Sequence, residues 1–581
     1  MRIITFFCLN NHSNRNHDDS DVCFSKQISL TFLWTALLNC FKKKRQYNEL
    51  VYDISMIQYL TSPKAFNLLR QVIPLPAFQN LYLKYGQNIQ QEKKNLVDLN
   101  EIDTNVKNYI VENGLDVTKD GENVVCLAID AFAFRSFCTT VLTSDKNPTA
   151  DNIIIYNNGF IYLMVPVDFR YPPIILHIEK AQNGNYNEII DKIAQEIKAI
   201  LKNNGLNPWF HATDGDKFLS KSHTRFYLKF VQGNTSNFME LVHSIFEQLL
   251  KDDDLSVPVG DPLHLWKNIR SRYQNNSITL FSDSNTSTDC ESAKRILEIG
   301  NALEDLTKAG KMRDSYCMKL FSFQNVCKLL KAGLFVDATL MFCFACWISA
   351  DFSTNVDLQF RLFLLELSFQ LIETFRQDFT SLKKNGIPQK AKDADVVTMH
   401  EEQYIIRMMN SLIASAIVLV FTSNFVRMDS VGTHLVENSI GIARQTSNDP
   451  RWERIITTFS HAALRKKIAR KYGIQIHIQG RVNDGGCKVD QIADSQKPPG
   501  TLLSKPKNWS VVGIIQLFKG LCNPDTSKAF HEDCKNFIEE LERISSLFKL
   551  KERNINASAN CGILARLISF GCETDETNEE D

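Results

Sequence analysis

Three acidic residues stand out by their local settings. Asp130 closes the apolar run Val124-Val125-Cys126-Leu127-Ala128-Ile129, and Asp214 follows Pro208-Trp209-Phe210-His211-Ala212-Thr213. Glu437 sits in Thr433-His434-Leu435-Val436-Glu437-Asn438. A carboxylate just past a buried strand is held rigidly at a sheet edge, where it reaches outward rather than into the core. Two Asp and one Glu from separate elements supply hard oxygen ligands, which select hard divalent cations such as Mg²⁺ or Mn²⁺. Two such ions can clamp the attacking and leaving oxygens of a phosphoryl transfer. Close carboxylates repel one another unless a cation lies between them. Each acid taken alone also reads as a cap or a solvated carboxylate; their order along the chain is what joins them. Asp216 competes with Asp214 for the second position.

Basic residues form two further groups. His264, Lys267 and Arg270 recur every three residues in Asp261-Pro262-Leu263-His264-Leu265-Trp266-Lys267-Asn268-Ile269-Arg270. One helical face could present all three to a DNA phosphate or to an acid of the site. The plainer reading is a surface helix whose Leu263, Leu265 and Trp266 pack inward. Lys466, Lys467 and Arg470, with Arg465, suit sequence-independent contact with a nucleic-acid backbone, or simply a solvated face.

Positioning two acids side by side needs strands. Apolar, β-rich runs at 124–130, 152–156, 160–166 and 173–178 are separated by Asn157-Asn158-Gly159 and Tyr171-Pro172-Pro173, both turn signals. A helix follows from Tyr186, with apolar residues every three to four positions, and Asn203-Asn204-Gly205 stops it. A short strand then leads to Asp214. Strands, helix, strand, with acids after the first and last strands, is the required order.

From about 270 to 430 the pattern is helical, broken by polar loops at 274–290 and 384–400. The stretch 48–90 is helical too. Ser62 is an N-cap with Pro63 at the first helical position, and Pro74-Leu75-Pro76 breaks the chain again. Short helix, break, short helix fits a helix-turn-helix, and equally a small bundle against the next domain. Residues 1–25 are polar. Lys42-Lys43-Lys44-Arg45 is a solvated helix end, or a nuclear import or phosphate-contact signal. The tail holds a Gly/Pro/Lys linker (479–508), an amphipathic segment (528–550) and an acidic end.

At 581 residues the chain holds about two to four domains. With 44% apolar and 23% charged residues it is globular rather than disordered. A formal net charge of zero excludes a chain that is polycationic as a whole, though not local basic patches. Fifteen irregularly spaced cysteines, several in apolar runs (Cys126, Cys343, Cys346), read as reduced, buried thiols of an intracellular protein. Cys343-Phe344-Ala345-Cys346 lacks a second Cys or His pair, which favours packing over zinc. Asp337 interrupts the apolar stretch 332–350, and 411–422 is too short to span a bilayer, so no membrane partner is expected.

With these residues in place, the chain resembles the P element-type DNA transposases, including the transposase-like parts of THAP-domain proteins. Ser62-Pro63-Lys64-Ala65-Phe66 with Leu69-Arg70 and Leu75-Pro76 is similar to the family's segment ahead of its catalytic core. Asp130 and Asp214 look like its first two catalytic acids. Residues 261–270 are similar to its Asp-x-x-His-x-x-Lys-x-x-Arg signature, and Glu437-Asn438 with Arg444 looks like the final acid on its helix. The resemblance covers about 50–475.

It implies an α/β multidomain protein: an RNase H-like mixed sheet core interrupted by a large all-α insertion, with helical N-terminal (HTH-like) and C-terminal regions. The expected divisions are a polar leader (1–45), an HTH-like DNA-binding region (46–110), the first part of the core (120–272), the insertion (273–430), the Glu helix (431–475) and the tail (476–581). It also implies a nuclear, DDE-type polynucleotidyl transferase that cleaves and joins double-stranded DNA at transposon ends. Asp130, Asp214 and Glu437 would hold Mg²⁺ or Mn²⁺. His264, Lys267, Arg270, Arg444, Lys466, Lys467 and Arg470 would contact DNA, and a homo-oligomer stays open. Two class alternatives remain, a non-catalytic transposase-derived binding or scaffold protein and an RNase H-like nuclease without strand transfer. The chain departs from the family in two ways. Cys8, Cys23 and Cys40 form no THAP-finger pairing, and no Gly-x-x-x-x-Gly-Lys loop is present, so a guanine nucleotide is not carried over.

Overall fold

The computed structural model describes residues 31, 32, 34, 47–119, 121–140, 153–168, 170–182, 186–213, 220–234, 237–274, 290–297, 314–352, 358–384, 402–422, 431–433, 436, 452–472 and 539. The chain's first well-defined helices are α1 (Glu49–Thr61), α2 (Pro63–Val72) and α3 (Phe78–Val97). Ser62 caps α2 as its sequence demands: its Oγ accepts from the Ala65 N–H at 3.3 Å, and Pro63, with no N–H to satisfy, follows. Helix α4 (Ile102–Asn113) leads into the sheet.

Five strands, β1 (Val124–Thr140), β2 (Ile153–Pro166), β3 (Ile174–Gln182), β4 (Asn207–Thr213) and β5 (Val257–Gly260), form one mixed sheet in the order β3-β2-β1-β4-β5. The pairs β1–β2 and β2–β3 are antiparallel, and β1–β4 and β4–β5 are parallel. Central β1 is apolar on both sides because both faces are covered. Val125, Leu127 and Ile129 pack beneath α4 and the crossover helix α5 (Tyr186–Asn203), against Ile193, Ile197 and Leu201. Val124, Cys126 and Ala128 face a larger helical body. Gly205, at φ +78°, ends α5 where the sequence places the stop; a side chain there would also crowd Val117.

Two runs expected as separate strands, 152–156 and 160–166, are one strand. The Asn157-Asn158-Gly159 turn signal is overridden because Gly159 lies opposite Phe132 of β1. The Phe132 ring fills the space above the glycine, leaving its Cζ only 2.5 Å from where a Cβ would stand. A bulge between Ala133 and Phe137 then resets the register. Strand β5 has no counterpart in the sequence reading. Four residues are too few for a periodic signal, and Pro258 argues against a strand except at an edge, which is where it lies.

The helical body comprises α6 (Ser220–Phe226), α7 (Phe238–Lys251), α8 (Pro262–Gln274), α9 (Cys290–Leu297), α10 (Asp314–Leu320), α11 (Phe323–Lys331), α12 (Phe335–Phe352), α13 (Leu358–Lys384) and α14 (Glu402–Phe421). Every element described between 262 and 421 is helical. Residues 404–421 of α14 are long and apolar enough to cross a membrane, yet they are wholly buried inside the protein, as in a core helix. The helix runs along β5, where the Ser411 hydroxyl donates to the Gly260 carbonyl at 2.8 Å. Cys343 and Cys346 are buried in α12, and burial pushes the Cys343 thiol up to about 12.

Helix α15 (Trp452–Lys471) ties the ends together. Ile455, Ile456 and Phe459 join the core of the helical body, while Leu464, Ile468 and Ala469 complete the core of α1–α3. A buried polar knot fastens this junction. Asp53 of α1 accepts hydrogen bonds from the Tyr85 hydroxyl, the Tyr472 hydroxyl (2.6 Å) and Lys471 Nζ (2.9 Å).

Candidate active site

Asp130 occupies the apolar row Val124-Cys126-Ala128 of β1 as its one charged member, on the face covered by the helical body. It is 7% exposed, and its Oδ1 accepts from the Ala131 N–H at 2.7 Å. The strand register gives the position its meaning. Ile129 pairs with Thr213 on β4, and Thr213 pairs with Gly260 on β5. The next residue along each strand is an aspartate: Asp130, Asp214 and Asp261. Asp214, its competitor Asp216 and Glu437 lie outside the described residues. Among the described residues, no group of three or more His, Cys, Asp or Glu side chains is placed to hold a metal ion.

Asp261 is described in full, and its oxygens are occupied. Oδ1 caps α8, accepting from the N–H groups of Leu263 (2.8 Å) and His264 (3.4 Å). Oδ2 accepts from the Thr433 N–H (2.9 Å) and hydroxyl (2.6 Å), with His264 Nδ1 at 3.6 Å. Burial raises the carboxyl pKa, but His264, Thr433 and the charge of Lys267 outweigh it and hold the group well below the usual carboxylate range. Strand spacing puts Asp261 roughly 10 Å from Asp130, two strands away. Paired catalytic ions stand about 3.5–4 Å apart. The four donors already on its oxygens, rather than this spacing, set Asp261 apart as a ligand, whereas β4 lies directly beside β1.

The basic residues are placed less simply. Helix α8 is buried almost all round: Leu263, Leu265, Trp266, Ile269 and Tyr273 are in the core, and so are Lys267 and Arg270. The Arg270 guanidinium lies over the Tyr316 ring of α10 at 5.4 Å, and Trp266 meets Trp347 of α12 edge to face. In this conformation neither Lys267 nor Arg270 presents its cation to solvent, contrary to an outward-facing basic row. The sequence shows an apolar stripe on the helix; it does not show the α10 ring, Tyr316, that covers Arg270 on another side. His264, in the first turn, is partly exposed. On α15, Lys467 is exposed and paired with Glu112 at 2.5 Å, and Arg465 is largely buried. The side chains of Lys466 and Arg470 and the whole of Arg444 lie outside the described residues.

Two residues escaped the sequence reading. Asp261 was visible only as the first letter of a motif, although Asp before Pro262 at a helix start is an N-cap signal. Phe132, two residues beyond Asp130, stacks parallel to Trp452 (6.5 Å) and meets Phe459 edge-on (6.2 Å), joining the site's strand to α15.

No family model matches the chain, and no curated protein matches its sequence. Among solved structures, the chain is similar to the Drosophila P element transposase strand transfer complex. The TM-score is 0.50 at 13% identity, over 76% of this chain and 97% of that one. At this identity the likeness is one of fold: among the described residues, a mostly helical protein with one mixed five-stranded sheet.

Proposed function

We propose that this protein is a DDE-type polynucleotidyl transferase that cleaves DNA at transposon ends and joins the ends to target DNA in the nucleus. The core is RNase H-like, Asp130, Asp214 and Glu437 are the acids, and the helices of 273–430 are an insertion between the second and third. The observation that carries this reading is the parallel β1–β4 register, in which Ile129 pairs with Thr213. It supports Asp130 and Asp214 as neighbours across one strand spacing.

The donor chemistry fits Mg²⁺ or Mn²⁺, because hard carboxylate oxygens match hard cations. Bound divalent ions would supply an acidified water or DNA 3′-hydroxyl and stabilise the leaving 3′-oxygen. Asp130, Asp214 and Glu437 would hold the ions, and Asp130 would present its carboxylate from the central strand β1. Lys466, Lys467, Arg470 and Arg444 would steer the phosphate backbone without reading sequence.

The test is a nicking and strand-transfer assay on plasmid DNA at low salt with Mg²⁺ or Mn²⁺, using wild type, Asp130→Asn, Asp214→Ala and Glu437→Gln. Metal-dependent nicking and joining, lost in each variant while DNA binding persists, is the expected result. Nicking without joining would make the protein a nuclease. Binding without cleavage by folded wild type would make it a non-catalytic DNA-binding relative.

A further inference from the structure

We infer that Asp261 is a positioning residue: its carboxylate latches residues 431–433 onto the sheet and so fixes where the chain sets out toward Glu437. This rests on the reading of Glu437 as the third acid. The stretch is clamped from three sides. Thr433, fully buried, gives both its N–H and its hydroxyl to Asp261 Oδ2. Gly432 packs close by: a Cβ there would stand 3.6 Å from Pro262 Cδ and 3.7 Å from the Asp261 carboxyl. Val431 and Val436 are buried in the core of the helical body.

Asp261 is itself immobile. Its other oxygen is held by the first turn of α8, and it directly follows Gly260, whose carbonyl takes the Ser411 hydroxyl of α14. An unbroken line of hydrogen bonds thus runs from the strand of Asp130 through β4 and β5 to Asp261 and Thr433. The next acid in the chain lies four residues further on. Sub-ångström registration matters here, since a displacement of about 1 Å at a reacting group costs on the order of 10²-fold in rate.

The geometry also dictates the informative substitutions. Asp261→Asn keeps the shape but must turn either its oxygen or its amide toward donors, so one of the two donor sets is left facing an N–H. Thr433→Val removes only the hydroxyl at constant volume, and Thr433→Ser restores it. The experiment measures amide exchange at Thr433 and along β1, together with kcat and KM for plasmid nicking in Mn²⁺. The latch predicts exchange at Thr433 faster by about tenfold or more in Asp261→Ala, which removes the acceptor from both donor sets, with β1 protection kept. It predicts kcat lowered by about 10²-fold in Thr433→Val with KM for DNA little changed, and recovery in Thr433→Ser.

Faster exchange with unchanged kcat would overturn the positioning role. So would a loss of kcat that merely tracks a smaller folded fraction. If wild type neither nicks nor joins DNA, the catalytic reading has failed. The latch then stands if Asp261→Ala frees the Thr433 amide while sparing β1, and falls if it does not.

Discussion

Replacing Gly159 by Ala tests whether the Phe132 ring is what holds β2 in one piece beside the site. A Cβ at position 159 would meet three ring atoms of Phe132, at 2.5, 2.8 and 3.1 Å. The ring cannot simply swing aside, because it is 5% exposed and wedged against Trp452 and Phe459. Overpacking of this kind costs about 1–3 kcal/mol. Removing a strand glycine returns roughly 0.5–1 kcal/mol, so the net loss is about 1–2 kcal/mol. Phe132→Ala alone should cost about 3–5 kcal/mol as a buried aromatic deleted from a packed site. In the double variant the clash has no partner, so Gly159→Ala becomes harmless or slightly stabilising. The cycle should therefore show a coupling of about 1–3 kcal/mol. In a multidomain chain the suitable observable is local amide exchange in β1 and β2, with thermal unfolding as a second probe. Additivity of the two substitutions within about 0.5 kcal/mol would refute the ring-over-glycine account.

Three further perturbations separate local roles. Asp53→Ala strips the acceptor from Tyr85, Tyr472 and the half-exposed Lys471, and should cost about 3–5 kcal/mol, released as separation of α15 from α1 and α3 in exchange or proteolysis. Burial raises the Asp53 pKa, but the bonds from Tyr472, Tyr85 and Lys471 leave it lowered overall. Its contribution is accordingly full above the unfolded-state value of about 3.9 and is lost as pH falls through the lower folded-state value. Asp351 behaves oppositely: burial raises it to about 7, against hydrogen bonds from Ser415 and Trp347 and the charge of Arg361. Stability from this group is full below about 3.9 and declines up to about pH 7, so Asp351→Asn should flatten that slope in pH-dependent unfolding and cost nothing at pH 8. Arg270→Ala should lower thermal stability through its lost contact with Tyr316 and leave the salt dependence of DNA binding unchanged. A slope reduced by about 0.9 would instead mark Arg270 as a phosphate contact.

The sequence displays strongly what depends on local pattern. The start of β1 at Val124, the periodicity of α5, its Gly205 stop and the Ser62-Pro63 start of α2 all stand where their residues put them, whereas β1 runs on to Thr140 and so carries Asp130 within it rather than past its end. What it hides depends on a distant partner. The Asn157-Asn158-Gly159 turn signal is locally sound, and only Phe132 across the strand pair overrules it. Lys267 and Arg270 read as a face toward a DNA phosphate or an acid of the site; both are buried, with Tyr316 of α10 over Arg270 and the charge of Lys267 acting on Asp261. The short edge strand β5 exists because β4 and α14 hold it, and no four-residue window could announce that.

The same distinction governs the site. Three aspartates follow one rung of the parallel strands, and by residue type all three are equally good ligands for a hard cation. Hydrogen-bond occupancy makes the choice. Asp261 receives four donors, two from the helix it caps and two from Thr433, which leaves little of its lone-pair capacity for an ion and would make its removal from those donors costly. On the proposed reading the fold converts the surplus carboxylate into the anchor for the segment that brings in the third acid. A rung that could have crowded a metal centre with charge instead connects two of its ligands to the approach of the third. It follows that Asp261→Ala should not be rescued by raising Mn²⁺, whereas a variant that weakens ion binding alone, such as Glu437→Asp, should recover nicking as Mn²⁺ increases. Rescue of Asp261→Ala by metal would place that carboxylate among the ligands and refute the division of roles.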